Sequence, residues 1–203
     1  MNYTGIILAG GNSSRMGQNK ALLLLNGKRV IDYVFEMFSE FCNEIIISTN
    51  EPEAYSFLNA KKQKDNYLHI GPIAGIQAGL QASSNEINFI TSCDTPFVSQ
   101  AMFLYLLENA ENQKIATPTH LGISEPIIGM FRKETAQDFE NAIKNNLFSP
   151  PKVEKTIGQT FVEITENQKI YNEKLFTNIN TISDLQSAER FFKQNNNNPT
   201  INR

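Results

Sequence analysis

Apolar and polar positions in this chain switch repeatedly between two periods. Residues 3–9 form a short apolar run closed by Gly10-Gly11, the pattern of a buried strand entering a tight loop. Over 28–42, Val30, Ile31, Val34, Phe35, Phe38, Phe41 and Cys42 recur at helical spacing. Residues 44–49 are apolar and β-branched, predicting a second strand, and Pro52 suits the first turn of a following helix. Residues 67–70 read as a short third strand, Gly71-Pro72 as a break and 73–82 as a helix. Another strand is predicted at 87–93, closed by Asp94-Thr95-Pro96, and Ser99 fits the N-cap of a helix reaching residue 110. Strands at 114–117, 126–132 and 161–164 and helices at 134–146 and 183–193 complete the pattern. Leu185, Ala188 and Phe192 share a face of the last helix.

Strands alternating with helices predict a three-layer α/β/α fold around a Rossmann-like, mainly parallel sheet. The 203 residues suit one domain, placed here at 1–193, and no internal repeat is visible. Residues 194–203 carry four consecutive Asn and are too polar to pack, so a disordered tail is expected there. The formal net charge of -3 argues against a broad basic surface for nucleic acid. The two cysteines, Cys42 and Cys93, form no CxxC or Cys/His cluster, so they read as small hydrophobes in a reducing compartment rather than zinc ligands. Neither a basic leader nor a long apolar stretch is present, which predicts a cytoplasmic protein with no membrane contact.

The richest chemistry follows the first predicted strand. In Leu8-Ala9-Gly10-Gly11-Asn12-Ser13-Ser14-Arg15-Met16-Gly17, the glycines let backbone N–H groups approach an anion. Arg15 adds a planar fork of donors and Lys20 a compact cation, both suited to phosphate. The segment is not a Walker A loop and contains no GxGxxG. The glycines alone could simply make a turn; Arg15, Gly17 and Lys20 at set offsets favour nucleotide phosphates.

At these residues the chain resembles the molybdenum cofactor guanylyltransferases, whose signature LAGGxxxRMGxxK stands here as Leu8 to Lys20. Gly71-Pro72-Ile73-Ala74-Gly75-Ile76-Gln77-Ala78-Gly79-Leu80 is similar to that family's GPLAGxxAGL, and Cys93-Asp94-Thr95-Pro96-Phe97 to its CDTPF. Asn178-Ile179-Asn180-Thr181 is similar to its NxNT, with Ile182-Ser183 in place of the following Pro-Glu. The four motifs come in the family's order and span most of the chain. Between 119 and 170 only Glu125-Pro126 aligns.

The resemblance implies a fold of the nucleotide-diphospho-sugar transferase type and transfer of GMP from GTP to molybdenum-bound molybdopterin, with pyrophosphate leaving. It implies catalytic roles for Arg15, Lys20 and Asp94, with Asp94 holding Mg²⁺; a turn-capping role for Asp94 is the plain alternative. Leu8, Ala9, Gly10, Gly11, Lys20 and Asp94 would meet the nucleotide. Ser48 or Asn50 answers to the family's Asn after the second strand, and Asp65 to its Asp ahead of the glycine segment; both equally suit local turn bonds. Gly71, Pro72, Asn178 and Asn180 would face the pterin. Relatives that transfer cytidyl groups carry Ala where Gly10 stands, so a missing Cβ would leave room for a purine. The resemblance further implies transient contacts with a molybdenum-insertion protein and with apo-molybdoenzymes, and a monomer or weak oligomer. The rivals are a cytidylyltransferase acting on molybdopterin or a small phosphorylated alcohol, and a non-catalytic nucleotide-binding protein on the same fold.

Overall fold

The computed structural model describes residues 1–10 and 19–196. Its elements, in chain order, are β1 (Tyr3–Leu8), β2 (Leu24–Leu25), β3 (Lys28–Arg29), α1 (Val30–Ser39), β4 (Glu44–Ser48), β5 (Lys61–Gln63), α2 (Pro72–Ala82), β6 (Ile87–Ser92) and α3 (Gln100–Glu108). They continue with β7 (Ile115–His120), β8 (Ile123–Ser124), β9 (Gly129–Arg132), α4 (Thr135–Lys144), α5 (Pro150–Ile157), β10 (Gln159–Glu163) and α6 (Ile182–Asn196). The main sheet has the order β10-β7-β9-β6-β1-β4-β5, with β8 beside β7. β1 pairs parallel with β4 and β6, β4 with β5, and β10 with β7, whereas β9 runs antiparallel to both β6 and β7.

The three layers follow from the period of two along the central strands. Ile7, Ile47 and Phe89 turn to one face, under Val34 and Phe38 of α1 and Met102, Phe103 and Leu106 of α3. Ile6, Leu8, Ile46 and Ile90 turn to the other, under Ile73, Ile76 and Leu80 of α2, Phe139 and Ile143 of α4 and Val153 of α5. Burying one such aliphatic or aromatic side chain contributes about 1.5–3 kcal/mol, so these two clusters dominate the stabilisation. The first helix seats closely enough that a Cβ on Gly5 would lie 2.5 Å from the Phe38 ring. α6 closes one end through a third cluster of Leu25, Val30, Phe97, Ile179 and Ala188.

Two expectations need correction, and one helix lies outside the predicted pattern. Residues 67–70 are not a strand: His69 has φ 62, which interrupts an extended chain, and the strand in this stretch is β5. The segment after Pro52 is a four-residue 3-10 turn, Pro52–Tyr55, rather than an α-helix. α5 is absent from the predicted pattern; it begins with Pro150-Pro151, which suit a helix's first turn. α6 extends three residues past the predicted end, and 197–203 of the expected tail lie outside the described residues. Among the described residues, no helix is long and apolar enough to cross a membrane.

Candidate active site

From β1 the chain moves outward to β4 and β5, then crosses back to β6 on the other side of β1. Such a reversal opens a crevice at the carboxyl ends of the strands. Leu8 is level with Ser48 and with Ser92, so three strands end on one rim. The rim stays zipped beyond the strands: Ala9 N–H donates to the Ser48 carbonyl at 2.8 Å and Cys93 N–H to the Leu8 carbonyl at 3.0 Å. Backbone pairing thereby brings Leu8, Ala9 and Ser48 together, with Gly10, Asn50 and Asp94 a residue or two further along the same three strands. Gly11 and Arg15 lie outside the described residues.

On the β4 side of the rim, Asp65 organises a polar cluster. Its carboxylate accepts from Asn50 Nδ2 at 2.9 Å and from Ser48 Oγ at 3.4 Å, and its N–H donates to Asn50 Oδ1 at 3.1 Å. Ser48, Asn50 and Asp65 thus act together, although the sequence alone leaves a choice between Ser48 and Asn50. Gly10 faces this cluster: an added Cβ would stand 3.9 Å from Asp65 Oδ2 and 4.0 Å from the Ser48 carbonyl. Gly75 in α2 supports it from below, where a Cβ would come within 2.9 Å of Ser48 Oγ. Gly71 enters α2 at φ 84 and ψ -164, a backbone state only glycine adopts readily, and Pro72 takes the first helical turn.

Lys20 stands in the 3-10 turn Lys20–Leu22, capped by Asn19, whose side chain accepts from Ala21 N–H at 3.1 Å. Its ammonium donates to Asn180 Oδ1 at 2.6 Å, joining the turn after the N-terminal glycine segment to the far C-terminal motif. Asp184 holds that motif in place by accepting from the N–H groups of Asn180 and Thr181 at 2.9 and 2.8 Å. Thr181 returns a bond to Asp184 N–H at 3.1 Å, completing a capping box at the start of α6. Partial burial opposes ionisation of Asp184, yet these N–H bonds hold its carboxyl below the ordinary value.

Asp94 follows β6, and its carbonyl accepts from Ile179 N–H at 2.8 Å, fixing Asn178 and Asn180 beside it. The turn after Asp94 is secured by Thr95, whose hydroxyl bonds the Ser92 carbonyl and Thr91 Oγ1, each at 2.8 Å. Asp94 Oδ1 is buried with no hydrogen-bond partner among the described residues. A buried carboxylate oxygen left in this state is costly and suits a cation. Among the described residues no three His, Cys, Asp or Glu side chains converge, so a metal on Asp94 would complete its sphere with phosphate oxygens and water, as Mg²⁺ does.

Asp94 borders a cavity of about 290 Å³ shared with Asn178, Asn180 and Glu125 and floored by Pro126, Ile127 and Ile128. Gly71 and Pro72 are not among its lining residues; they stand at the start of the helix beneath the Asp65 cluster. Glu125 is half-buried, and burial raises its carboxyl above the ordinary value. The sequence reading aligns Glu125-Pro126 with the family but gives Glu125 no role, because nothing local marks one. A groove of about 400 Å³ between α2 and α4, lined by Gln77, Gln81, Lys133 and Glu140 among others, is larger. It also borders Glu86, just before β6, and so opens toward the amino ends of the strands, away from the rim.

Residues 5–196 match the family described as MobA-like NTP transferase domain. The chain is 35% identical over 196 residues to a protein of Carboxydothermus hydrogenoformans named "Probable molybdenum cofactor guanylyltransferase", covering 94% of this chain and 97% of the relative. It is 30% identical over 198 residues to the molybdenum cofactor guanylyltransferase of Desulfosudis oleivorans, covering 94% and 96%. A crystal structure of molybdopterin-guanine dinucleotide biosynthesis protein A from Archaeoglobus fulgidus superposes with a TM-score of 0.77 at 25% identity, over 94% of this chain and 99% of that one. The 2-C-methyl-D-erythritol 4-phosphate cytidylyltransferase of Thermus thermophilus shares the fold, with a TM-score of 0.72 at 18% identity over 95% of this chain and all of its own.

Proposed function

This chain belongs to the MobA-like NTP transferase family and is a nucleotidyltransferase; from that premise we propose that it transfers the GMP unit of GTP to molybdenum-bound molybdopterin. The products are the guanine dinucleotide cofactor and pyrophosphate. The observation that carries the reading is the placement of Asp94 and Lys20 between two unlike surfaces. The Asp65 cluster lies on one side and the cavity of Glu125, Asn178 and Asn180 on the other.

In this reading the triphosphate runs from the Asp65 cluster towards Lys20. Asp65 presents carboxylate oxygens that suit the adjacent N1–H and 2-amino donors of guanine, a donor pair cytosine lacks. Leu8, Ala9, Gly10 and Gly11 approach the nucleotide with backbone, and Arg15 and Lys20 offset phosphate charge. Asp94 holds Mg²⁺, which when bound draws charge from the phosphate oxygens and lowers the barrier to substitution. The pterin lies in the cavity beside Asp94, where Glu125 accepts from its 2-amino edge and the Asn178 and Asn180 amides orient its polar atoms. Gly71 and Pro72, assigned to the pterin from the motif alone, belong with the nucleotide side in this arrangement. The acceptor's terminal phosphate oxygen attacks the α-phosphorus; a new P–O bond forms as the bond to the β-bridging oxygen breaks, and pyrophosphate leaves with that electron pair. The chain's part is alignment and charge placement rather than covalent chemistry.

The test supplies purified protein with Mg²⁺, molybdenum-loaded molybdopterin and each of the four nucleoside triphosphates in turn, reading pyrophosphate and dinucleotide product by mass spectrometry. Product with GTP alone is expected. Product with CTP alone would overturn the base assignment, and no product with any of them would overturn the acceptor. Gly10→Ala belongs in the same assay: with no atom of the described residues beyond its chain neighbours nearer than 3.9 Å to the new Cβ, it should fold normally and lose GTP preference over CTP. An unchanged preference would remove Gly10 from base selection.

A further inference from the structure

Tyr55 has no role in the reading above, yet it sits where both described ends of the nucleotide segment meet. Ala9 leaves β1 at one end, and Asn19 begins the turn that carries Lys20 at the other, ten residues later in the chain. Tyr55 closes the 3-10 turn after β4, is only 1% exposed, and packs among Ile7, Ala21, Ile47 and Leu58. Its hydroxyl accepts from Asn19 Nδ2 at 3.0 Å. Two oxygens lie within reach of the hydroxyl proton, the Ala9 carbonyl at 3.4 Å and Asn19 Oδ1 at 3.3 Å. Asn19 Oδ1 is already engaged by Ala21 N–H at 3.1 Å, and Asn19 already donates to the phenol, so the proton turns to Ala9.

We propose that Tyr55 is a positioning residue for nucleotide binding: its hydroxyl ties the Ala9 carbonyl to the Asn19 carboxamide and thereby sets Lys20 at the rim where the triphosphate lies. The proposal rests on the phosphate role given to Lys20 above. A lysine ammonium is a point charge on a flexible stem, so where it acts depends on where its backbone is held. Here the backbone of the Lys20 turn is held by Asn19, and Asn19 by a buried, otherwise apolar ring. Burial pushes the Tyr55 phenol up to about 12, so the hydroxyl keeps its proton and the link persists across the working pH range. The link spans 36 residues from Tyr55 to Asn19 and 46 to Ala9, which explains its absence from any contiguous motif.

Tyr55→Phe keeps the ring and deletes only the hydroxyl. The experiment measures GTP affinity by titration calorimetry for wild type, Tyr55→Phe, Lys20→Ala and the double variant, with a thermal melt of each. Tyr55→Phe should raise Kd roughly tenfold, the effect of one lost hydrogen bond of positioning. The same change made in Lys20→Ala should raise it no further, because the residue acts through Lys20. Equal losses in both backgrounds would show general support of the fold and overturn the proposal, as would a Tyr55→Phe protein with wild-type affinity. Should Tyr55→Phe fail to fold, Asn19→Ala cuts the same link from its polar side and must show the same dependence on Lys20. Wild type that binds no nucleoside triphosphate would overturn the nucleotide reading itself, so the wild-type titration separates that failure from the failure of the Tyr55 link.

Discussion

Gly75→Ala separates the stability of the Asp65 cluster from its use. Gly75 is buried in α2, and a Cβ there meets Ser48 Oγ at 2.9 Å, Leu8 Cδ2 at 3.3 Å and Asp65 Oδ1 at 3.6 Å. Ala in a helix interior is favoured over Gly by about 1 kcal/mol. Crowding a filled site costs about 1–3 kcal/mol. The tightest contact is relieved if the Ser48 hydroxyl rotates, giving up its 3.4 Å bond to Asp65, which is long and contributes less than about 1 kcal/mol. The opposing effects leave a net destabilisation of about 0–2 kcal/mol, or a melting temperature lowered by no more than about 8 °C. The Asp65 cluster, however, loses its arrangement: Ser48 turns away and Leu8 and Asp65 shift by tenths of an ångström. GTP affinity should therefore fall by roughly tenfold or more while the protein stays folded. Thermal melts and GTP titration on the same preparations give both readouts. A folded Gly75→Ala protein that binds GTP within about twofold of wild type would refute the reasoning, since the disturbed groups would then not touch the nucleotide.

The remaining predictions address charge. Asp94→Asn keeps the side-chain shape and removes the carboxylate whose buried Oδ1 has no partner among the described residues; pyrophosphate release should fall by roughly a hundredfold or more, with the melting temperature unchanged or raised. Undiminished turnover would take Asp94 out of the metal site. Glu125→Gln should raise the KM for the pterin acceptor roughly tenfold and leave the KM for GTP unchanged, measured by varying each substrate in turn; a matching rise for GTP would move Glu125 out of the acceptor cavity. Glu154 in α5 is fully buried, accepts from Gln159 Nε2 at 2.8 Å through one oxygen and has no partner for the other among the described residues. Burial raises its carboxyl from 4.5 to about 8, so the folded state favours the neutral form. Its contribution to stability is full below the unfolded value and is lost as pH rises through the folded one, at about 1.4 kcal/mol per pH unit. Glu154→Gln should therefore flatten the decline in melting temperature between about pH 5 and pH 8 and melt higher than wild type above it; parallel curves would show that Glu154 does not titrate in this window.

What could be read along the chain depended on how each piece is buried. β1, β4 and β6 are covered on both faces, so they appear as mainly apolar runs rather than alternating ones, and each is predicted to within one residue. β5 lies at the sheet edge as Lys61-Lys62-Gln63, with no apolar side chain to betray it. α5 buries only Pro150, Val153 and Glu154, too few apolar positions to set a helical period. Leu8, Lys20, Asp94, Asn178 and Asn180 stand in contiguous motifs because backbone must hold them at fixed offsets. Tyr55 and Asn19 work through partners tens of residues away, and no local pattern records such a bond. The start of α6 was legible after all: Thr181 and Asp184 have capping-box spacing, which places the first helical residue at 182 rather than 183.

Glu125 reaches the rim for a topological reason. In a parallel sheet each strand delivers the residue after its end to the carboxyl rim, as β1, β4 and β6 deliver Ala9, Thr49 and Cys93. β9 is antiparallel, with Gly129 opposite Ile90 and Arg132 opposite Ile87, so it delivers the residues before its start. Glu125 to Ile128 therefore stand beyond Ile90, level with Ser92 and Asp94, and a parallel strand in the same slot would have placed Lys133 there instead. β7 feeds the same edge, and the Pro118 carbonyl takes the Glu125 N–H at 3.1 Å. The C-terminal motif then closes the cavity through Ile179 on the Asp94 carbonyl and Asn180 on Lys20. The two sides of the rim are thus tied to one another by backbone and by the Lys20 ammonium; under the proposed function that tie would hold donor and acceptor in line for attack. One reversed strand is what sets a second cavity against the rim of the parallel strands.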